Sequence, residues 1–207
     1  FIIGVNSHYT DNGSKKYFNS LFVYDNNLNI LNSYNKINLV PFGEFLPFEN
    51  FLNKFGLKKI TQGHGSFQKG KIQNNILIDN LNILPLICYE IIFPELIQKA
   101  DNKTNIIINI SEDGWFGNSI GPYQHFAKAI FRSIENDTFL VRSANKGISA
   151  IINNKGEIIK QLDVAESGNI ELEVPLLKKN HKNKNDLIFF ILLITYLITF
   201  KLFKKKI

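Results

Sequence analysis

Short apolar runs alternate along the chain with stretches of helical spacing. Residues 1–5 and 21–24 predict buried strands, and 31–39 predict an extended segment ending in the loop Val40-Pro41-Phe42-Gly43-Glu44. A short helix is expected over 50–55, followed by a loop carrying Gly63, Gly65 and Gly70. Residues 75–78 and 83–87 predict two more strands. Pro85 removes a ladder donor from the second, which points to an edge or a bulge there. Pro94 opens a helix reaching about Lys99. Residues 105–110 read as a β-branched strand, and 121–135 as a helix with Phe126, Ile130, Phe131 and Ile134 on one face. Residues 139–143, 149–152, 157–161 and 169–174 form a second strand-rich group, with Asn153-Asn154-Lys155-Gly156 as a hairpin turn. This mixture predicts an α/β or α+β sandwich in which helices cover sheet faces.

At 207 residues the chain holds one sizeable domain, and 44% hydrophobic residues make that domain globular. It opens on Phe1 and contains no Met, so the expectation is a piece of a longer protein. The net charge of +6 is unevenly placed. From Leu177 onward there are eight lysines and one acid, Asp186, giving that end +7 and leaving the body at −1. A nucleic-acid groove needs basic residues spread over a folded face, so nucleic-acid binding is not expected. Residues 187–203 are apolar apart from Lys201, and 17 residues give about 25 Å of helix, near the lower limit for a bilayer. The reading is a domain over 1–176, a basic linker over 177–186, a transmembrane helix over 187–203 and a cytoplasmic tail over 204–207. The three closing lysines place that tail inside and the domain outside the cytoplasmic membrane.

Chemistry centres on Cys88, the one cysteine, which excludes an intramolecular disulfide and Cys-pair zinc sites. It follows an apolar strand and precedes a turn and a helix, a junction that exposes a thiol at a sheet end. The bland reading is a small buried hydrophobe. Lys36 and Glu44 could set a cation and a carboxylate beside that thiol, to stabilise an oxyanion and relay a proton, or could be ordinary surface charges. Of His8, His64, His125 and His181, only His125 is a plausible partner for a thiol, and a capping or packing role suits it better. Trp115 and Phe116 lie in a glycine-flanked loop that could wall an apolar pocket or belong to the core. No metal or cofactor is implied.

Three segments, taken in order, carry a resemblance. Tyr34-Asn35-Lys36 through Pro41-Phe42-Gly43-Glu44, Ile87-Cys88-Tyr89-Glu90, and Asp113-Gly114-Trp115-Phe116-Gly117 with Gly121-Pro122-Tyr123-Gln124-His125-Phe126 resemble the motifs of bacterial apolipoprotein N-acyltransferases. Asn145-Lys146-Gly147-Ile148-Ser149-Ala150 adds to the likeness, which covers about residues 1–174. That family belongs to the nitrilase superfamily, so the resemblance implies an αββα sandwich and a Glu–Lys–Cys triad. It implies Cys88 as nucleophile, Lys36 as the lysine stabilising the tetrahedral intermediate, and Glu44 as an accessory glutamate. Tyr89 and Glu90 match positions that shape the site, with Trp115 and Phe116 facing substrate.

The implied reaction moves an acyl chain from a membrane phospholipid to Cys88 as a thioester. The chain then passes to the α-amine of a lipoprotein's diacylglyceryl-cysteine, in the inner membrane with the catalytic domain periplasmic. The resemblance puts the general-base glutamate upstream of Phe1, so this piece alone is expected to be inactive. Glu112 departs from the family, which usually carries a small or amide residue there. The alternatives are a nitrilase-type amidase acting on a small amide and a membrane-tethered binding domain without catalysis. Ammonia release would distinguish the first, and an inert Cys88 the second.

Overall fold

The computed structural model describes residues 1–11, 13–48, 51, 66–71, 75–98, 104–177 and 186–204. Strands β1 (Ile2–Asp11), β2 (Ser14–Tyr24) and β3 (Ile30–Asn35) form an antiparallel sheet in that order. A second sheet contains β4 (Ile76–Ile78), β5 (Leu81–Ile87), β6 (Ile106–Glu112), β7 (Phe139–Asn145), β8 (Ser149–Ile152) and β9 (Ile158–Leu162), again in chain order. Its centre, β5-β6-β7, is parallel, and the flanking pairs are antiparallel. Parallel neighbours need crossovers. Helices α1 (Pro94–Gln98) and α2 (Gly121–Asn136) supply them.

The period of two along β5 assigns its side chains to two cores. Leu84 and Leu86 pack with Leu96, Ile97, Phe126 and Ala129 beneath the helices. Ile83 and Ile87 pack with Leu21, Val23 and Tyr34 of the small sheet. Each such aliphatic contributes about 1.5–3 kcal/mol on burial. A strand covered on both faces reads as an unbroken apolar run, as 83–87 does. The expected sandwich is therefore present as helix, sheet and sheet. A second helical layer over the small sheet is not found among the described residues.

Several expectations change. The first apolar run is not a buried strand but part of an edge strand: among the described residues β1 pairs with β2 alone, and Phe1 is 68% exposed. Pro85 lies inside the six-stranded sheet, opposite Ile108 of its parallel neighbour β6. The buried face of α2 is Pro122, His125, Phe126, Ala129, Arg132, Ser133 and Asn136, whereas Phe131 and Ile134 are exposed. His125 on that face meets Asp113 and the Cys88 carbonyl, while Arg132, Ser133 and Asn136 bond within the helix itself, so hydrophobic spacing alone mis-aims the helix. Residues 169–174 form no strand. Their chain is tied down where Lys160 Nζ donates to the Glu171 carbonyl at 2.7 Å.

Helix α3 (Asp186–Lys204) forms where the apolar run predicted one, and its described side chains are exposed. Among the described residues, however, no helix is long and apolar enough to cross a membrane, so the transmembrane helix expected over 187–203 is not established. The side chains described, 188–204, cover about 26 Å of rise against a hydrocarbon core of about 30 Å. The glycines Gly63 and Gly65, the histidines His64 and His181, and most of the 50–55 helix, the linker and the tail lie outside the described residues.

Candidate active site

Cys88 follows β5 directly, at the carboxyl end of a central parallel strand, where open α/β sheets place their ligand sites. A 3-10 turn, Cys88–Ile92, begins there. The Cys88 φ is +50°, left-handed for a residue with a Cβ, a conformation costing about 1–3 kcal/mol that persists only where neighbours hold it. Three bonds do so. Ile87 N–H donates to Glu90 Oε2 at 2.9 Å, Asn109 Nδ2 donates to the Leu86 carbonyl at 3.1 Å, and His125 Nε2 lies 3.2 Å from the Cys88 carbonyl. The thiol is partly exposed, with Sγ 4.0 Å from the Glu112 carbonyl.

Glu90 joins the cysteine turn to the segment carrying Lys36. It is fully buried, and its Oε1 accepts from Tyr34 Oη at 2.8 Å, Ile37 N–H at 2.7 Å and Asn38 N–H at 3.1 Å. Burial raises the Glu90 carboxyl above its ordinary range, against the pull of those donors. Burial, then the adjacent Glu90 carboxylate, likewise raises the Tyr34 phenol. The peptides of Ile37 and Ile87 are thus held by one carboxylate, and the neighbours of those two residues are Lys36 and Cys88.

Lys36 follows β3 and is fully buried, its Nζ 2.9 Å from Glu44 Oε1. Glu44 also accepts from Asn19 Nδ2 at 2.6 Å and from Val40 N–H at 2.8 Å. The two charges predicted to act together are therefore paired, with Glu44 orienting the ammonium. Gly70 N–H donates to the Lys36 carbonyl at 2.8 Å, and a Cβ on Gly70 would lie 2.0 Å from the Asn35 carbonyl oxygen. Only glycine lets the two chains approach so closely.

Behind the cysteine lies a buried polar cluster that hydrophobic patterning does not reveal. Asp113 Oδ1 meets His125 Nδ1 at 2.9 Å and accepts from Ser111 Oγ at 2.6 Å, while its Oδ2 accepts from Arg142 Nη2 at 2.6 Å. Arg142 also donates to Asn109 Oδ1, and from Nε to the Ile148 carbonyl at 3.2 Å. Burial alone would raise Asp113, but the His125 bond, the Arg142 guanidinium and Ser111 outweigh it and hold the carboxyl below its ordinary range. Burial lowers Arg142, with Asp113 opposing. Sequence context favours a capping or packing role for His125. The structure instead brings it to Cys88, through the carbonyl oxygen and not the thiol.

The remaining predicted residues are dispersed around this centre. Tyr89 is half-buried, edge-on to Phe93 with ring centroids 5.0 Å apart. Trp115 is 62% exposed on the 3-10 turn Asp113–Phe116, so it is not a core residue, and Phe116 packs against the His125 ring at 5.5 Å. Glu112 caps that turn by accepting from Gly114 N–H at 2.9 Å, and accepts from Asn145 Nδ2 at 2.6 Å. Its carboxylate thus fastens the aromatic loop to β7. Among the described residues there is no group of three His, Cys, Asp or Glu side chains that could hold a metal ion.

Known proteins share both sequence and fold with this chain. It is 44% identical over 160 residues to an apolipoprotein N-acyltransferase of Rhizobium leguminosarum bv. trifolii (strain WSM2304), covering 77% of this chain and 30% of that protein. It is 39% identical over 166 residues to the apolipoprotein N-acyltransferase of Brucella suis biovar 1 (strain 1330), covering 80% and 31%. The chain thus spans about 30% of the length of these curated relatives. Among solved structures, a carbon-nitrogen hydrolase from Helicobacter pylori G27 matches with a TM-score of 0.59 at 17% identity, covering 80% of this chain and 59% of that one. Saccharomyces cerevisiae Nit3, of the nitrilase superfamily, matches with a TM-score of 0.58 at 17% identity, covering 80% and 56%. Both confirm the nitrilase-like α/β fold. The carbon-nitrogen hydrolase family model matches residues 1–177, and the chain belongs to that family.

Proposed function

We propose that this chain is the acyl-transferring domain of an apolipoprotein N-acyltransferase, with Cys88 as its acyl-carrying nucleophile. The observation that carries the reading is the Glu90 carboxylate, which fixes a left-handed cysteine and the Lys36 segment to one another. The relatives' name supplies the acceptor class.

In the first half-reaction the Cys88 thiol loses its proton to a base and sulfur attacks the ester carbonyl of a phospholipid. Lys36, oriented by Glu44, faces the oxyanion that develops. The C–O bond breaks, and the lysophospholipid oxygen takes a proton as it leaves. In the second half-reaction the α-amine of a diacylglyceryl-cysteine attacks the thioester, the C–S bond breaks, and the amine sheds a proton as the amide forms. A thioester divides one difficult transfer into two easier ones. Trp115 and Phe116 offer an apolar surface to the acyl chain, with Tyr89 and Glu90 shaping the pocket. In this reading α3 is a short anchor that holds the domain at the periplasmic face of the inner membrane, where both substrates reside. Its closing lysines then lie on the cytoplasmic side.

Intact mass spectrometry of the full-length protein, incubated with phospholipid vesicles, tests the reading. A fatty acyl adduct on Cys88, discharged by a diacylglyceryl-cysteine peptide and missing in Cys88→Ala, is the expected result. A reactive thiol that gains no acyl group, with ammonia released from small amides, would replace this function with amide hydrolysis.

A further inference from the structure

We infer that His125 is the positioning residue of the Cys88 nucleophile, holding its carbonyl from a ring that packs beside the loop bearing Trp115. The inference rests on the reading of Cys88 as acyl carrier, and it draws on groups which that reading leaves unused. A carbonyl oxygen only accepts, so the bond between His125 Nε2 and the Cys88 carbonyl is made by an Nε2 proton. The opposite nitrogen, Nδ1, meets Asp113 Oδ1 at 2.9 Å and lies 3.2 Å from Arg142 Nη2. Asp113 begins the 3-10 turn that carries Trp115, and Phe116 of that turn packs on the same imidazole. One ring therefore bonds the peptide of the nucleophile on one side and the aromatic loop on the other.

Energetics give that ring a task. Left-handed Cys88 relaxes toward ordinary φ unless its carbonyl is held, and relaxation swings the thiol away from its approach to substrate. The Asn109 bond fixes the peptide before the cysteine at Leu86, whereas His125 fixes the peptide after it. Arg142 ties the two supports together, donating to Asn109 Oδ1 and to Asp113 Oδ2. The support is rigid. Arg142 and Asp113 are fully buried, and a Cβ on Gly147 would lie 2.2 Å from Asp113 Oδ2. Displacing a reacting atom by about 1 Å can cost about 100-fold in rate.

Two substitutions separate positioning from packing. In His125→Asn the amide replaces Nδ1, keeping Asp113 but falling short of the Cys88 carbonyl. In His125→Gln the amide nitrogen reaches the place of Nε2 and can still donate to that carbonyl. Both variants of the full-length protein in native membranes are assayed for the rate of Cys88 acylation and its dependence on phospholipid. Amide exchange is followed in parallel over Ile87–Ile92. We expect acylation in His125→Asn to fall about 10- to 100-fold at unchanged half-saturating phospholipid, with faster exchange confined to Ile87–Ile92. His125→Gln should stay within about threefold of wild type, its exchange unchanged.

Equal loss in both variants, or wild-type acylation and exchange in His125→Asn, overturns the inference. If His125→Asn fails to fold, His125→Gln still decides: folded but slow, it refutes positioning, and folded and fast, it supports it. If wild type itself forms no acyl adduct, the acyltransferase reading fails, and the exchange comparison alone judges His125.

Discussion

Glu90→Gln is the perturbation that most directly probes how this site is assembled. The buried carboxylate accepts four bonds, three on Oε1 from Tyr34, Ile37 and Asn38 and one on Oε2 from Ile87. A glutamine amide can keep its oxygen toward the first three, but its NH2 then faces the Ile87 N–H, and two donors oppose each other. Each buried polar group left unsatisfied costs about 1–3 kcal/mol. Removing a buried charge returns part of this, since burial already raises the Glu90 carboxyl. The net loss should be about 2–4 kcal/mol, a large share of a total stability near 5–15 kcal/mol. Tyr34→Phe removes a single donor and should cost about 1 kcal/mol. Pulse proteolysis across a urea series, on the full-length protein in detergent, reads both. Acylation of Cys88 should fall with Glu90→Gln, because the cysteine turn and the Lys36 segment lose their common tie. A Glu90→Gln loss below about 0.5 kcal/mol, or one no larger than that of Tyr34→Phe, would refute the account of Glu90 as the joint between them.

Lys36→Met should slow Cys88 acylation about 100- to 1,000-fold while the thiol stays reactive toward iodoacetamide, as removal of an oxyanion donor does. A loss under threefold would release Lys36 from that role. Asp113→Asn breaks a buried ion pair and should cost about 3–5 kcal/mol near neutral pH. The folded-state pKa of Asp113 lies below its ordinary 3.8, so the stability due to its ionised form is present above 3.8 and is lost as pH falls through the folded value. The gap between wild type and variant should therefore stay level from pH 5 to 7 and narrow below about pH 3.8, measured by urea midpoints at each pH. A gap that widens in acid would contradict the sign. Gly70→Ala drives a Cβ into the Asn35 carbonyl and should cost about 2–3 kcal/mol, whereas Gly43→Ala meets the Val40 side chain at 3.3 Å and backbone no nearer than the Val40 oxygen at 3.8 Å, and should cost under about 1 kcal/mol. Equal thermal stability of the two variants would show that the Lys36 segment yields to accommodate the methyl.

Local sequence determined the elements whose cause is local. The unbroken apolar run at 83–87 is a strand buried on both faces, and Pro94 opens a crossover helix. Gly156 turns a hairpin with φ +82°, and Cys88 stands at the strand-to-turn junction where it was expected. The ordered motifs also named the family, in agreement with relatives 44% and 41% identical to the chain. Tertiary structure decided the rest. Periodicity cannot tell an edge strand from a central one, so the burial expected of β1 fails once its pairing is known. It cannot see that a helix buries histidine, arginine and asparagine when Asp113 and the Cys88 carbonyl meet the first and the helix's own groups meet the others, so α2 turns a different face inward. Above all, Glu90 and His125 act on residues 53 and 37 positions away. A hydrogen bond depends on separation in space, and only the closed sandwich brings Ile37 to Glu90 and Cys88 to His125.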